Sequence, residues 1–171
     1  MFIGFDERCI RLDSTGTCVF VTELECNHEE ADTRMLLHAH HASQSTENIV
    51  IHTPDTDVLL IAIAASSQIS GNIFIRTGTK NKVRIISIEK VKNTLILRYD
   101  LQPTITELLS KSLLGFHAFT GCDTVSAFSN KGKVKPLKIL LKNQKYMETF
   151  AEIGNNPAPS DEQLDKIQEF V

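Results

Sequence analysis

The sequence lacks the features of a membrane-spanning or disulfide-stabilised protein. Its longest apolar run, Val58 to Ala65, is much shorter than the roughly 20 residues that a helix needs to cross a bilayer. No charged segment followed by an apolar one stands at the amino terminus, so we expect no signal peptide. Four widely spaced cysteines without a C-x-x-C pair are typical of reduced thiols in a reducing compartment. They are Cys9, Cys18, Cys26 and Cys122.

Charged residues are distributed unevenly along the 171-residue chain. Residues 1–57 contain 11 acidic and 3 basic residues, residues 58–147 contain 4 acidic and 14 basic ones, and residues 148–171 contain 6 acidic and 1 basic. A basic middle between acidic ends favours two surfaces with different roles. Lysines on an ordinary solvated face would give the same pattern, so charge alone leaves both interpretations open.

The order of predicted elements indicates an α/β domain with a mostly parallel sheet. A β-branched and aromatic run predicts a strand over 18–22, and Asn27 with Glu30 resembles a capping box that opens a helix over about 28–42. Short apolar runs then predict further strands, of which the last two are joined by a turn that contains Gly78 and the others are separated by helices. The expected strands are 49–52, 72–76 and 83–86, and the expected helices cover about 58–65, 88–96, 103–116 and 134–141. The run 58–65 could instead be a strand, but its alanines and the serines that follow favour a helix.

Paired carboxylates follow the strand that ends near His52. In an extended segment Asp55 and Asp57 would point the same way, and two such carboxylates repel unless a cation lies between them. Hard cations such as Mg²⁺ and Mn²⁺ prefer these oxygen ligands. Alternatively, one aspartate caps the next helix and the other is merely exposed. Acidic residues at 29, 30 and 32 are likewise favoured by a helix dipole without any function.

The combination of acidic motifs is more specific than each alone. Glu-Ala-Asp at 30–32, Asp-Thr-Asp at 55–57 and Gly-Cys-Asp at 121–123 occur in this order, with a basic segment after the third. Over about residues 26–145 this resembles the flap-endonuclease and XPG-type nucleases of the PIN-like fold. The chain also looks like uncharacterised, mobile-element-associated reading frames that share the patterns His-Glu-Glu-Ala-Asp-Thr-Arg and Gly-Cys-Asp-Thr.

The resemblance implies catalytic residues that bind two divalent ions, Mg²⁺ or Mn²⁺. These ligands would be Glu30, Asp32, Asp55, Asp57 and Asp123. On an ideal helix Glu29 and Asp32 share a side whereas Glu30 and Asp32 do not, so Glu29 stays an alternative.

A lysine-rich segment follows the third acidic motif. The resembled nucleases have a glycine-containing helical hairpin there, which grips the backbone of duplex DNA. The resemblance implies that nucleic acid is bound by Lys131, Gly132, Lys133 and Lys135. The usual Gly-Ile-Gly turn of that family is replaced here by Asn130-Lys131-Gly132-Lys133. Lysine contacts to phosphate give affinity without sequence information.

The resemblance also implies a three-layer, PIN-like (Rossmann-like) α/β domain over residues 1–145, with the basic helical segment 131–145, and a helical, acidic tail over 146–171.

The resembled nucleases begin with a strand that ends in a metal-binding aspartate. Only 29 residues precede Glu30, and neither Asp6 nor Asp13 has a suitable context. We therefore expect that strand to be missing from a partial domain, whose amino-terminal ligands a second chain could supply.

The sequence thus predicts a divalent-metal-dependent, nuclease-like domain that acts on nucleic-acid phosphodiesters, of the structure-specific endonuclease type. An inactive relative that binds nucleic acid through its lysines and a protein-interaction module with a structural acidic cluster are the alternatives. We expect DNA rather than RNA as the partner, no membrane, and an intracellular protein that is nuclear rather than cytoplasmic.

Overall fold

The computed structural model describes residues 1–27, 31–122, 132–156 and 158–171. The chain divides into two compact units, Met1–Ile88 and Glu89–Val171. All four cysteines are free, as their spacing predicts. Within the described ranges, no helix combines the length and the apolar character that crossing a bilayer would require.

The first unit begins with a three-stranded antiparallel sheet. Strands β1 (Phe2–Phe5), β2 (Arg8–Leu12) and β3 (Cys18–Phe20) pair in that order. A two-residue turn joins β1 to β2, and Asp6 in this turn has a φ of 47°. Aspartate tolerates this left-handed conformation better than most residues, so the turn forms without glycine. The sequence pattern predicts only the third of these strands.

A second sheet contains β4 (Asn48–His52), β5 (Asn72–Thr77) and β6 (Arg84–Ser87). Helix α1 (Ala31–Ser43) precedes β4 and packs against it, and helix α2 (Thr56–Ala65) connects β4 to β5. The predicted strands, the helix 58–65 and the described part of the helix 28–42 are confirmed to within a few residues. Alternate side chains form the buried face of this sheet: Ile49, Ile51, Ile73 and Ile75.

The prediction of a mostly parallel sheet is wrong. Among the strand pairs of the described residues, only β4 with β5 is parallel, while β5 with β6 and both pairs of the amino-terminal sheet are antiparallel. A short connection through Gly78 joins β5 to β6, and such hairpins pair antiparallel, whereas the crossover through α2 allows parallel pairing. The chain is therefore a mixed α/β protein with one antiparallel and one mixed sheet.

The second unit is helical. Helix α3 (Ile88–Tyr99) spans the boundary between the units and is followed by a 3₁₀ turn at Pro103–Ile105. The remaining helices are α4 (Thr106–Thr120), α5 (Val134–Leu140), α6 (Gln144–Glu152) and α7 (Asp161–Phe170). Helix α6 packs against α4 and α7. Their shared core is aromatic, with ring centroids 4.9 to 6.4 Å apart: Phe116, Phe119, Tyr146, Phe150 and Phe170.

Helix α6 runs through the expected division between residues 145 and 146. Tyr146, Met147 and Phe150 are buried, because they point from α6 into the aromatic core of the second unit. The carboxyl-terminal segment is helical, as expected. Ser160 begins α7 with a full capping box, in which its hydroxyl accepts from the Gln163 N–H and the Gln163 amide accepts from the Ser160 N–H.

Candidate carboxylate site and basic segment

The segment after β4 is held by two successive hydrogen bonds from backbone to side chain. Thr53 is buried, and its Oγ1 accepts from the Asp55 N–H at 3.0 Å. Asp55 Oδ1 in turn accepts from the Asp57 N–H at 2.8 Å. Thr53 also continues the β4–β5 pairing, since its N–H donates to the Arg76 carbonyl at 3.1 Å. Both aspartates are therefore fixed at the carboxyl end of β4, beside its parallel neighbour β5.

Asp55 is the N-cap of α2, and Asp57 lies in the first turn of that helix. The two aspartates therefore do not occupy one extended segment, and the expectation based on an extended chain is wrong. The capping alternative is confirmed for Asp55. One oxygen of Asp55 is used by the cap, which leaves its second oxygen for other contacts. Both side chains are half-buried.

Asp32 lies in the first turn of α1, and its side chain is half-buried. Three of the expected or alternative ligands lie outside the described residues: Glu29, Glu30 and Asp123. Within the described part of the first unit, Asp32, Asp55 and Asp57 do not form a set of three ligand atoms within 4.8 Å of one another. These three carboxylates alone therefore do not make a closed metal cage.

Arg34 connects α1 to the amino-terminal sheet. Its Nη2 donates to the carbonyl of Asp6, in the β1–β2 turn, and to the carbonyl of Cys26 at 3.2 Å. The aliphatic part of the same side chain packs 3.5 Å from the position that a Cβ on Gly4 would occupy. Arg34 thus stabilises the start of the helix on which Asp32 lies, a role that its place in the sequence does not reveal.

The described residues of the basic segment differ in what their side chains can contact. Lys133 is half-buried, and its Nζ donates to the Gly121 carbonyl and lies 2.9 Å from His117 Nδ1. It therefore ties the start of α5 to the end of α4. Lys135 is exposed on α5, and Gly132 is exposed with open space around its Cα. Lys131 lies outside the described residues.

Comparisons of the chain with models of protein families, with curated proteins and with solved structures found no match. Its function must therefore be inferred from the side chains described above and from the resemblance of its motifs.

Proposed function

We propose that the chain is a divalent-metal-dependent, nuclease-like domain that acts on nucleic-acid phosphodiesters, of the structure-specific endonuclease type. The observation that supports this most is the position of Asp55 and Asp57, which immediately follow β4 beside the parallel strand β5. In α/β sheets, ligands bind at the carboxyl ends of parallel strands. The Thr53 and Asp55 hydrogen bonds fix the backbone of this segment and the Asp55 carboxylate before any ligand arrives.

The aspartate pair fits a hydrated Mg²⁺ or Mn²⁺ better than a fully protein-coordinated ion. Mg²⁺ keeps several waters and usually takes one or two carboxylates from the protein. Asp55, through its second oxygen, and Asp57 would hold such an ion, Asp32 would contact its bound waters, and a second ion would require Glu30 and Asp123. When bound, the metal would supply an activated water and stabilise the leaving oxygen of the phosphodiester. The protein itself contributes fixed anionic ligands.

A nucleic-acid-binding protein without nuclease activity is the second candidate. Two observations favour it. Asp55 uses one carboxylate oxygen as a helix cap, which is a sufficient structural reason for an aspartate there. Lys135, one of the four expected contact residues, presents an exposed side chain that can contact a phosphate, whereas the ammonium group of Lys133 donates to the Gly121 carbonyl.

A cleavage assay separates the two candidates. The purified chain is incubated with flap, hairpin and single-stranded substrates in the presence of Mn²⁺. We expect cleavage by the wild type and a loss of more than about 100-fold in Asp57→Asn and in the double variant Asp55→Asn/Asp57→Asn, because removing even an outer-shell partner of a metal costs 10- to 100-fold. Asp165→Asn, which makes the same change on the exposed face of α7, is the matched control.

Cleavage that survives the double variant would refute the carboxylate site. Binding of the substrates by the wild type without any cleavage would favour the second candidate.

A further inference from the structure

The β4–β5–β6 sheet has a second face that remains exposed. Strand residues alternate between faces, so the side chains between the buried isoleucines point to the other side. Val50 is 58% exposed and Ile85 is 66% exposed on this face, and Phe74 between them is half-buried. Val50 is the registered partner of Phe74, and Ile85 is the partner of Arg76. An exposed patch with several large apolar side chains indicates a binding surface rather than scattered exposure.

Two side chains with planar polar groups lie on the same face of the sheet, near the carboxyl end of β4. His52 and Arg76 are registered partners, and Arg76 Nη1 lies 3.4 Å from both ring nitrogens of His52. The guanidinium and the imidazole are therefore in contact on the exposed surface. Together with the Phe74 ring, they give this sheet face three planar groups on two adjacent strands. Nucleic-acid bases stack on aromatic rings and on arginine guanidinium planes.

A basic hairpin extends from this face. Residues 72–87 contain Arg76, Lys80, Lys82 and Arg84 and no acidic residue, and all four basic side chains are exposed. Within the described part of the chain, none of them forms an ion pair. The turn is well defined, because the Lys82 N–H donates to the Thr79 carbonyl at 2.8 Å and Gly78 has a φ of 105°. Four exposed cations without anionic partners are complementary to a polyanion.

An apolar groove adjoins the exposed face at the β4 edge. It has a volume of about 350 Å³, and α1 and β4 line it, with Met35, Ala39 and Ala42 on the helix side. Val50 and His52 also line it, so the groove and the exposed face are continuous. A cavity of about 150 Å³ holds a benzene molecule, so this groove has room for a nucleobase.

We propose that this sheet face, with Phe74, His52 and Arg76, and the adjoining hairpin, with Lys80, Lys82 and Arg84, bind single-stranded nucleic acid. The bases stack on the planar groups and enter the apolar groove, and the hairpin cations contact the phosphates. An unpaired strand suits this surface better than a duplex, because the bases of a duplex are stacked on each other and leave the apolar side chains without a partner. This site is separate from the carboxylates and needs no cleavage.

Fluorescence anisotropy in the presence of EDTA tests this proposal without involving a metal. The probe is a labelled oligothymidylate of about 20 nucleotides, longer than the roughly 4–16 nucleotides that one OB-fold covers. Its affinity is compared with that of a duplex of equal length across a range of salt concentrations. We expect the single strand to bind more tightly. Preference for the duplex, binding of neither, or displacement of the probe only by an acidic peptide would overturn the proposal.

Two sets of variants locate the contacts. Lys80→Ala/Lys82→Ala should lower the slope of log affinity against log salt by about 1.4, since each phosphate contact on a single strand contributes about 0.7. Arg98→Ala/Lys111→Ala removes the same charge from exposed positions on α3 and α4, outside the basic segment 131–145, and should leave the slope unchanged. Equal effects of the two double variants would mean that only net charge matters and would refute the hairpin contact.

Phe74→Leu keeps an apolar side chain but removes the ring, and we expect a loss of about 5- to 150-fold in affinity, corresponding to one stacked base. Ile85→Glu changes an exposed side chain and places a carboxylate on the same face, so it should weaken binding without unfolding the protein. Unchanged affinity in folded Ile85→Glu would refute the sheet face as the site. Because these measurements need no metal, their failure would leave the cleavage test of the carboxylates unaffected.

Discussion

The Asp55 carboxylate caps helix α2, so alanine and asparagine at this position should have different consequences. Asp55→Ala removes the acceptor of the Asp57 N–H, a bond of 2.8 Å in the structure. Loss of such a cap costs about 1 kcal/mol, within a range of about 0.5–2 kcal/mol. In a protein of this size, that free energy lowers the Tm by roughly 2–4 °C. Asp55→Asn keeps an oxygen at the same place, and asparagine caps about as well as aspartate. Its Tm in EDTA should therefore match that of the wild type.

Added Mn²⁺ makes the same two variants a test of metal binding. A ligand at about 100 times its Kd stabilises the folded state by about 2.7 kcal/mol. The wild type should gain this stability, while Asp55→Asn should lose most of it because a neutral amide oxygen is a poorer ligand than a carboxylate. Thermal unfolding in EDTA and in Mn²⁺ gives both comparisons. If Asp55→Asn lost as much stability in EDTA as Asp55→Ala, the capping argument would be refuted. If it gained full stability from Mn²⁺, the metal-ligand argument would be refuted.

Three further predictions concern packing, pH and capping. A Cβ on Gly115 would lie 2.0 Å from the Phe150 carbonyl oxygen, so Gly115→Ala should force α4 and α6 apart. The free energy of unfolding in urea should fall by about 1–3 kcal/mol. In Gly132→Ala the added Cβ meets no atom within 4 Å, so stability should change little. Burial lowers the pKa of His38, and the charges of His41 and Arg34 lower it further. The folded protein therefore favours the neutral form of His38. The resulting stability is present above the unfolded-state pKa of about 6.5 and is lost as the pH falls below that value. The Tm of the wild type should therefore fall more between about pH 7.5 and 5.5 than that of His38→Gln, and equal falls would contradict this assignment. Ser160→Ala should lower the free energy of unfolding by about 1 kcal/mol and should speed amide hydrogen exchange within α7 but not within α4. Unchanged exchange in α7 would contradict the capping role of Ser160.

The elements that the sequence predicts well have strong local signals. Pro54 ends β4, Gly78 turns the β5–β6 hairpin, and the apolar run after Asp57 gives α2. Strands β1 and β2 have weaker signals, because the turn between them contains Asp6 and Glu7 rather than glycine or proline. The resemblance implies a basic helical segment up to residue 145, but α5 ends at Leu140 and α6 begins at Gln144. The break near Asn143 contains neither glycine nor proline, so no such residue marks it in the sequence.

The chemistry of the site depends on contacts that sequence patterns do not specify. The Asp-Thr-Asp motif is compatible with a helix cap and with a metal site, and only the geometry assigns one Asp55 oxygen to the cap. A lysine-rich segment does not reveal that Lys133 points at the Gly121 carbonyl. The proximity of His52, Phe74 and Arg76 follows from the parallel register of β4 and β5, which pairs residues 24 positions apart. Strand alternation would have placed them on one face once that register was known.

Direct titration of Mn²⁺ tests the central claim, that the carboxylates after β4 hold a divalent metal. The signal of the free ion in electron paramagnetic resonance is followed as protein is added, for the wild type, Asp57→Asn and the control Asp165→Asn. We expect the wild type and Asp165→Asn to bind Mn²⁺ alike, and Asp57→Asn to bind at least about 10-fold more weakly. Equal binding by Asp57→Asn and the wild type, or no binding by the folded wild type, would contradict the account.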